Sequence, residues 1–276
     1  MNIGAHVSIA GGVYNAPINA SRAGCECFQM FTRSPQGGPA PVLDPDTVSA
    51  FHANMKKYKQ AAVYIHTPYY INLASANNRI RFGSINVIRD ELERGSILGA
   101  KALMTHLGSS ADLGQKEALK KVVEGVGKIS AGYKGATQFL IEISAGTGNI
   151  IGDTFEEIGQ IIKAVPEYSL GVCFDTCHAF VSGYDLRTKK AIDKTLKAFD
   201  DIIGIEKLAV IHANDAMFGI DSHKDRHEHI GHGYIGAEGF RALLHHPQLK
   251  DVDFILETPP GGKGINDINM LNELRK

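Results

Sequence analysis

The strongest constraint on this chain is a rhythm. Eight short, mostly apolar runs recur along it: NIGAHV (2–7), CECFQMF (25–31), AAVYIH (61–66), KALMTH (101–106), TQFLIE (137–142), LGVCFD (170–175), KLAVIH (207–212) and DFILE (253–257). Their hydrophobicity is nearly continuous rather than alternating, as in parallel strands covered by helices. Between them the spacing becomes helical. Leu119, Val122, Val123 and Val126 fall on one helix face, as do Ile158, Ile161, Ile162 and Val165, and Ile192, Leu196, Phe199 and Ile203. Thr154 with Glu157 reads as a capping box. Eight strands alternating with helices in 276 residues predict an α/β fold, a (β/α)8 TIM barrel, with an open doubly wound sheet as the alternative. With no internal repeat, low-complexity segment or clear linker, residues 1–276 read as one domain.

Composition excludes more than it suggests. The chain is 43% hydrophobic, enough for a large core, and its formal net charge of −1 announces no nucleic-acid or acidic partner. Cys25, Cys27, Cys173 and Cys177 lack the spacing of a zinc ribbon or a redox pair, and so read as reduced thiols of a cytoplasmic protein. MNIGAHVSIAGG has no basic segment leading into a long apolar one, and no run approaches about 18 apolar residues, so neither export nor a membrane span is expected. The unusual count is 12 histidines beside no tryptophan.

The last residues of six consecutive runs are His66, His106, Glu142, Asp175, His212 and Glu257. In a (β/α)8 barrel these ends converge on the C-terminal face, where active sites lie. A lone histidine at a strand end is more often a packed residue than a ligand. Histidine, aspartate and glutamate together are roughly 13% of ordinary residues, so six matches in six would arise about once in 10^5 trials. Clustered carboxylates at a barrel mouth need cations, and a mixture of imidazole and carboxylate suits zinc, manganese or iron. A second group lies beyond the strands. His178 follows Asp175 by three residues, and Asp225 and His227 in KDRHEH share one side of an extended segment. These three would form another site open to water or substrate. His229 continues the same alternation as a competitor, and His6 is placed to line the mouth, as ligand or one step behind. His223 and His232 lie in the same loop, while His52, His245 and His246 read as surface or packing residues. The irregular stretches 32–46 and 214–236 are too long for idle connections and belong on a functional face.

At these residues the sequence resembles endonuclease IV, the zinc-dependent apurinic/apyrimidinic endonuclease family. The likeness runs from IGAHVSIAGG (3–12) to ILETPP (255–260) through HTPYYINLAS (66–75), THLGS (105–109), IEISAGTG (141–148), GVCFDTCHAFVSGYDLRT (171–188), HANDA (212–216), DRHEHIGHGYIG (225–236) and LETP (256–259). It implies three divalent metal ions, zinc first, with manganese or iron as substitutes. His66, His106 and Glu142 would hold one. Glu142 would bridge to a second, held also by Asp175, His212 and Glu257. His178, Asp225 and His227 would hold the third. The implied reaction is hydrolysis of the phosphodiester 5′ to an abasic site in duplex DNA, leaving a 3′-hydroxyl and a 5′-deoxyribose phosphate, with removal of 3′ blocking groups as a related activity. Glu142 would help orient the attacking water, and no cysteine nucleophile is required. Three divalent ions would turn the formal −1 into +5, focused at the mouth. The resemblance also implies DNA contacts by Tyr69, inserted at the lesion, and by Arg33 and Gln36. Here the chain departs from the family: Arg33 falls early in the loop, and Gln36 or Gly37 stands where the family carries an arginine. His232 is a second departure. A monomer is expected.

Two other readings compete. A metal-dependent sugar isomerase on a similar barrel would use strand-end carboxylates but has no use for the His178, Asp225 and His227 triplet. A lesion-binding protein with structural metals would favour closed, cysteine-rich sites.

Overall fold

The computed structural model describes residues 1–111, 113–259 and 266–276. Each of the eight runs forms a strand: β1 (Ile3–His6), β2 (Cys27–Met30), β3 (Val63–His66), β4 (Ala102–Thr105), β5 (Gln138–Glu142), β6 (Gly171–Asp175), β7 (Leu208–His212) and, after a ribbon of two short strands, β8 (Asp215–Ala216) and β9 (His227–Glu228), the last barrel strand β10 (Asp253–Leu256). They close as a barrel in the order β1-β10-β7-β6-β5-β4-β3-β2, every pairing parallel. The expected TIM barrel is therefore the fold, and the open sheet is not. The helices are α1 (Ala16–Arg22), α2 (Pro45–Lys57), α3 (Asn78–Leu98), α4 (Gln115–Ser130), α5 (Phe155–Ala164), α6 (Thr176–Val181), α7 (Lys189–Ile202), α8 (Gly236–Leu244) and α9 (Asp267–Arg275). No described helix is long and apolar enough to cross a membrane.

Local chemistry sets the helix ends. Asp44 caps α2 by accepting from Thr47 N at 2.7 Å, with Pro45 at the first helical position. Asn77 caps α3, which stops at Gly99 with φ 69°, a left-handed backbone that costs glycine little. Thr154 caps α5 as expected, accepting from Glu157 N at 3.2 Å. The reciprocal half of the capping box is altered: the Glu157 carboxylate accepts from Gly152 N at 2.7 Å, two residues before the cap.

Two cores divide the apolar residues. The larger lies between barrel and helices. The smaller fills the barrel with Cys27, Tyr64, Ala102, Met104, Leu140, Cys173, Val210 and Ile255. Side chains alternate along a strand, so the next inward position lies two residues on. From seven of these eight it is polar: Gln29, His66, His106, Glu142, Asp175, His212 and Glu257. The strand-end pattern is thus one layer of the barrel interior. The opposite end is closed by Asp253, which accepts from Tyr64 Oη at 2.7 Å and from Asn2 N and Nδ2 at 2.8 Å each.

At Gly4 the barrel wall leaves no room for a side chain, since a Cβ there would sit 1.9 Å from the Cys27 carbonyl oxygen. Gly4→Ala must push β1 from β2, and we expect a loss of about 3 kcal/mol, read as a lowered denaturation midpoint. An unchanged midpoint would mean that the wall is softer than its packing implies.

Candidate metal centre at the barrel mouth

The polar layer forms the floor of a cleft of about 780 Å³ lined by His66, Tyr69, His106, His178, Asp225 and His227 among others. Beneath it Glu142, Asp175 and His212 are fully buried. The nine residues expected as ligands fall into three groups: His66, His106 and Glu142; Glu142, Asp175, His212 and Glu257; and His178, Asp225 and His227. Within each group the candidate ligand atoms lie within 4.8 Å of one another. Glu142 belongs to two. Its Oε2 lies 2.8 Å from His66 Nε2 and 3.6 Å from His106 Nε2, while Oε1 lies 2.9 Å from His212 Nδ1. Asp175 ends β6 and caps α6, its Oδ1 accepting from His178 N at 2.8 Å. The cap aims His178 at the third group, where its Nε2 is 3.2 Å from Asp225 Oδ1 and 3.3 Å from His227 Nε2.

Hydrogen bonds set the tautomers. His66 Nδ1 faces the Thr67 carbonyl at 2.7 Å, His178 Nδ1 the Ile143 carbonyl at 3.0 Å and His227 Nδ1 the Glu257 carbonyl at 3.1 Å. A carbonyl only accepts, so each Nδ1 carries a proton and each Nε2 is left for the centre. Two such nitrogens facing each other across 3.3 Å, His178 and His227, need a proton or a cation between them. The buried His106 Nδ1 has no partner among the described residues. Donor set, orientation and orphaned atom together fit divalent cations.

The charges couple strongly. Burial pushes the Glu142 carboxyl up, but His106, His212 and His66 outweigh it and hold it well below the usual carboxylate range. Burial also opposes charge on His178, yet Asp175 and Asp225 raise its imidazolium to about 10. Burial also opposes charge on the half-buried Glu257, but His212 outweighs it and holds the carboxyl at about 2. Cys173 and Cys177 also lie within reach of these groups. Burial raises both thiols, Cys173 to about 12 and Cys177 further, so both are packed and unreactive at neutral pH.

The long loop is held by Asp215, whose carboxylate accepts from the amides of Gly231, Gly233, Ile235 and Gly236. The ribbon pairs His227 with Ala216, and Asp225 and His227 share one side, 3.8 Å apart, as the alternation implied. His229 does not follow them into the centre. β9 ends at Glu228, and the chain turns so that His229 Nδ1 meets Asp267 Oδ2 at 2.7 Å. His6 lines the cleft, its Nδ1 3.0 Å from Gln29 Nε2 and 3.9 Å from Glu257 Oε1, and belongs to none of the three groups. His232 is exposed. Pro260, the last residue of the ILETPP motif, lies outside the described residues.

The expected DNA contacts divide. Tyr69 is 74% exposed at the cleft and braced edge-on by Phe31, ring centroids 5.3 Å apart. Gln36 is exposed in the adjoining turn, and Tyr69 N donates to Pro35 O at 3.3 Å. Arg33 is placed otherwise. It is buried, with Nε donating to Glu91 Oε1 at 2.5 Å and Nη2 to Asp90, both acids of α3. Its guanidinium anchors the loop and does not face the cleft. Sequence reading also missed Gln29 and Asn214. Asn214 Nδ2 donates to Asp175 Oδ2 at 2.7 Å, and its Oδ1 accepts from Glu257 N at 2.8 Å. The available signal was a polar residue of inward parity in β2 and an amide between the two acid-bearing motifs.

A family model described as xylose isomerase-like TIM barrel matches residues 18–274. The chain is 38% identical over 277 residues to the probable endonuclease 4 of Halothermothrix orenii, covering 100% of each protein. It is 39% identical over 262 residues to the probable endonuclease 4 of Nitrosopumilus maritimus, covering 94% of each. The crystal structure of endonuclease IV from Thermus thermophilus matches with TM-score 0.87 and 34% identity, over 100% of this chain and 98% of that one. A D-tagatose 3-epimerase-like protein, 20% identical with TM-score 0.73 over 99% and 95%, shares the fold.

Two outcomes follow from the charges. Arg33→Met leaves Glu91 buried with a weaker partner in Arg94, 3.7 Å away, and is expected to cost about 3–5 kcal/mol in urea unfolding. A cost under about 1 kcal/mol would put Arg33 at the surface. The second concerns chelator-treated protein. His178 is raised from 6.5 to about 10, so its stabilising contribution is complete below pH 6.5 and is lost as pH rises through 10. On the acid side His6, lowered by burial from 6.5 to about 4, resists the proton that the unfolded chain takes up. Glu257 stabilises above pH 4.5 and loses that contribution as pH falls through 2. Melting temperature without metal should peak near pH 6.5 and fall toward 10. A profile that instead rises from pH 6.5 to 10 would contradict this charge arrangement.

Proposed function

Because the chain belongs to the endonuclease 4 proteins of the xylose isomerase-like TIM-barrel family, hydrolases of DNA repair, we propose that it cuts duplex DNA at the phosphodiester 5′ to an abasic site. In this reading it leaves a 3′-hydroxyl and a 5′-deoxyribose phosphate and also clears 3′ blocking groups. The observation that carries the reading is the set of three donor groups joined through Glu142 at the floor of one cleft. His66, His106 and Glu142 hold one divalent ion; Glu142, Asp175, His212 and Glu257 a second; His178, Asp225 and His227 a third. Zinc is the first candidate, with manganese or iron as substitutes.

When bound, such ions supply Lewis acidity toward the phosphodiester oxygens and make water acidic enough to attack near neutral pH. The protein's own groups set the geometry. Glu142, facing opposite groups with its two oxygens, fixes their separation and gives an attacking water an acceptor to align on. His178 and His227 are oriented by backbone carbonyls and do not need to rearrange during reaction. Asp225 has a side chain 51% exposed and keeps the third group open to substrate, whereas Glu142, Asp175 and His212 below it are fully buried. Tyr69, braced by Phe31, is a rigid wedge for the space left by a missing base. Stacking on such a ring is worth about 1–3 kcal/mol per base. Gln36 in the neighbouring turn reaches the same strand. The protein acts as a monomer in this scheme, since all nine ligand residues come from one chain.

The sugar-isomerase reading shares the barrel but leaves the His178, Asp225 and His227 triplet without a task, and the epimerase-like neighbour supports the fold alone.

Incision of a fluorescent duplex carrying one abasic analogue tests the proposal. The expected cut lies on the 5′ side, disappears after chelation and returns with zinc or manganese. Asp225→Ala and His227→Ala should lower kcat at least 100-fold, and Tyr69→Ala should raise KM more than it lowers kcat. Fully metal-loaded protein that makes no cut would sink the reading. Epimerase activity that survives replacement of the whole triplet would put the sugar reading in its place.

A further inference from the structure

Three of the inward histidines of the centre rest on backbone carbonyls, but His212 does not. Its Nε2 lies 2.7 Å from the side-chain oxygen of Gln29, and its Nδ1 faces Glu142 Oε1 at 2.9 Å and Glu257 Oε2 at 3.2 Å. Gln29 itself is fully buried, at the inward position of β2 two residues beyond Cys27. Its Nε2 donates to Glu257 Oε1 at 2.5 Å and faces His6 Nδ1 at 3.0 Å.

This arrangement runs in one direction. The ionised Glu257 carboxylate accepts and cannot donate, so the amide must present its NH2 there. The amide oxygen is then forced toward His212. An amide oxygen also only accepts, so the His212 nitrogen beside it must carry the proton. With Nε2 protonated, the free lone pair of a neutral ring is on Nδ1, which faces Glu142 and Glu257. A flipped amide would set oxygen against carboxylate and would leave Nδ1 protonated, the wrong tautomer for a ligand. On the reading of Glu142, Asp175, His212 and Glu257 as a metal site, we propose that Gln29 is the positioning residue of that site. It makes His212 bind through Nδ1, unlike His66, His178 and His227, and holds Glu257 by one oxygen so that the other stays on the centre. Gln29 touches neither substrate nor metal and acts through these two residues.

The test uses whole protein labelled with 15N-histidine and loaded with 113Cd. The wild type should show cadmium–nitrogen coupling at His212 Nδ1 and a proton on Nε2. Coupling at Nε2 would overturn the proposal without any mutation. Gln29→Met keeps the side-chain length and removes both polar contacts. In competition with a chromophoric chelator it should bind one equivalent of zinc about 10–100-fold more weakly than wild type, the remaining equivalents being unchanged. Thermal melting of the zinc-loaded variant shows that it is folded. A folded Gln29→Met protein with unaltered zinc affinities would overturn the role of Gln29 while leaving the metal site standing. Wild-type protein that takes up neither zinc nor cadmium would defeat the metal reading itself, and Gln29's role with it.

Discussion

Everything at the barrel mouth turns on one carboxylate sealed from water. Glu142 ends β5 with no exposed surface, where an isolated negative charge is costly. It is tolerated because four imidazoles crowd it: His66, His106, His178 and His212 all lie within 3.7 Å of its oxygens. Those imidazoles come from β3, the end of β4, α6 and β7, so only closure of the sheet brings them together. Fold and site are in that sense one event. The barrel is the scaffold that makes Glu142 bearable, and Glu142 makes four separate chain segments agree on one geometry.

The same closure explains why polar and apolar chemistry coexist in one interior. Inward positions repeat every second residue, and the filling changes from layer to layer. Tyr64, Leu140, Cys173, Val210 and Ile255 pack the middle, and Asp253 with Tyr64 and Asn2 seals the far end. A buried polar layer at the near end is stable only if its members satisfy one another or a ligand. Most do, through carbonyls and amides. The residue that does not is His106, whose buried Nδ1 finds no partner among the described residues.

Much of this was legible in the sequence because two periodicities act together. Continuous apolar runs mark strands buried on both sides, and the six acid or imidazole residues that end them keep the inward parity of the residues two positions earlier. The Asp-x-His spacing of 225 and 227 was readable for the same reason. Where the chain leaves a regular period the reading fails. His229 continues the alternation on paper, but β9 is two residues long and Asp267 claims the ring. Arg33 carried no local sign of burial, because its partners Asp90 and Glu91 arrive on α3 almost sixty residues later. Gln29 was hidden within CECFQMF, since an amide in an apolar run looks like filler until the strand opposite it is known.

The way each ring is oriented carries a further consequence. A histidine tied to a backbone carbonyl keeps its tautomer whatever side chains surround it, since no substitution removes the carbonyl. His66, His178 and His227 are set in this way. His212 is set by a side chain, and that side chain is set by Glu257. The deepest group of the centre is therefore the one in which a ring is oriented by a side chain from outside the group. The outer group, open through Asp225, is held by main chain on its imidazole side. Rigidity at the mouth thus comes from the backbone, while the floor depends on a relay of side chains, from the Glu257 carboxylate through the Gln29 amide to the His212 ring.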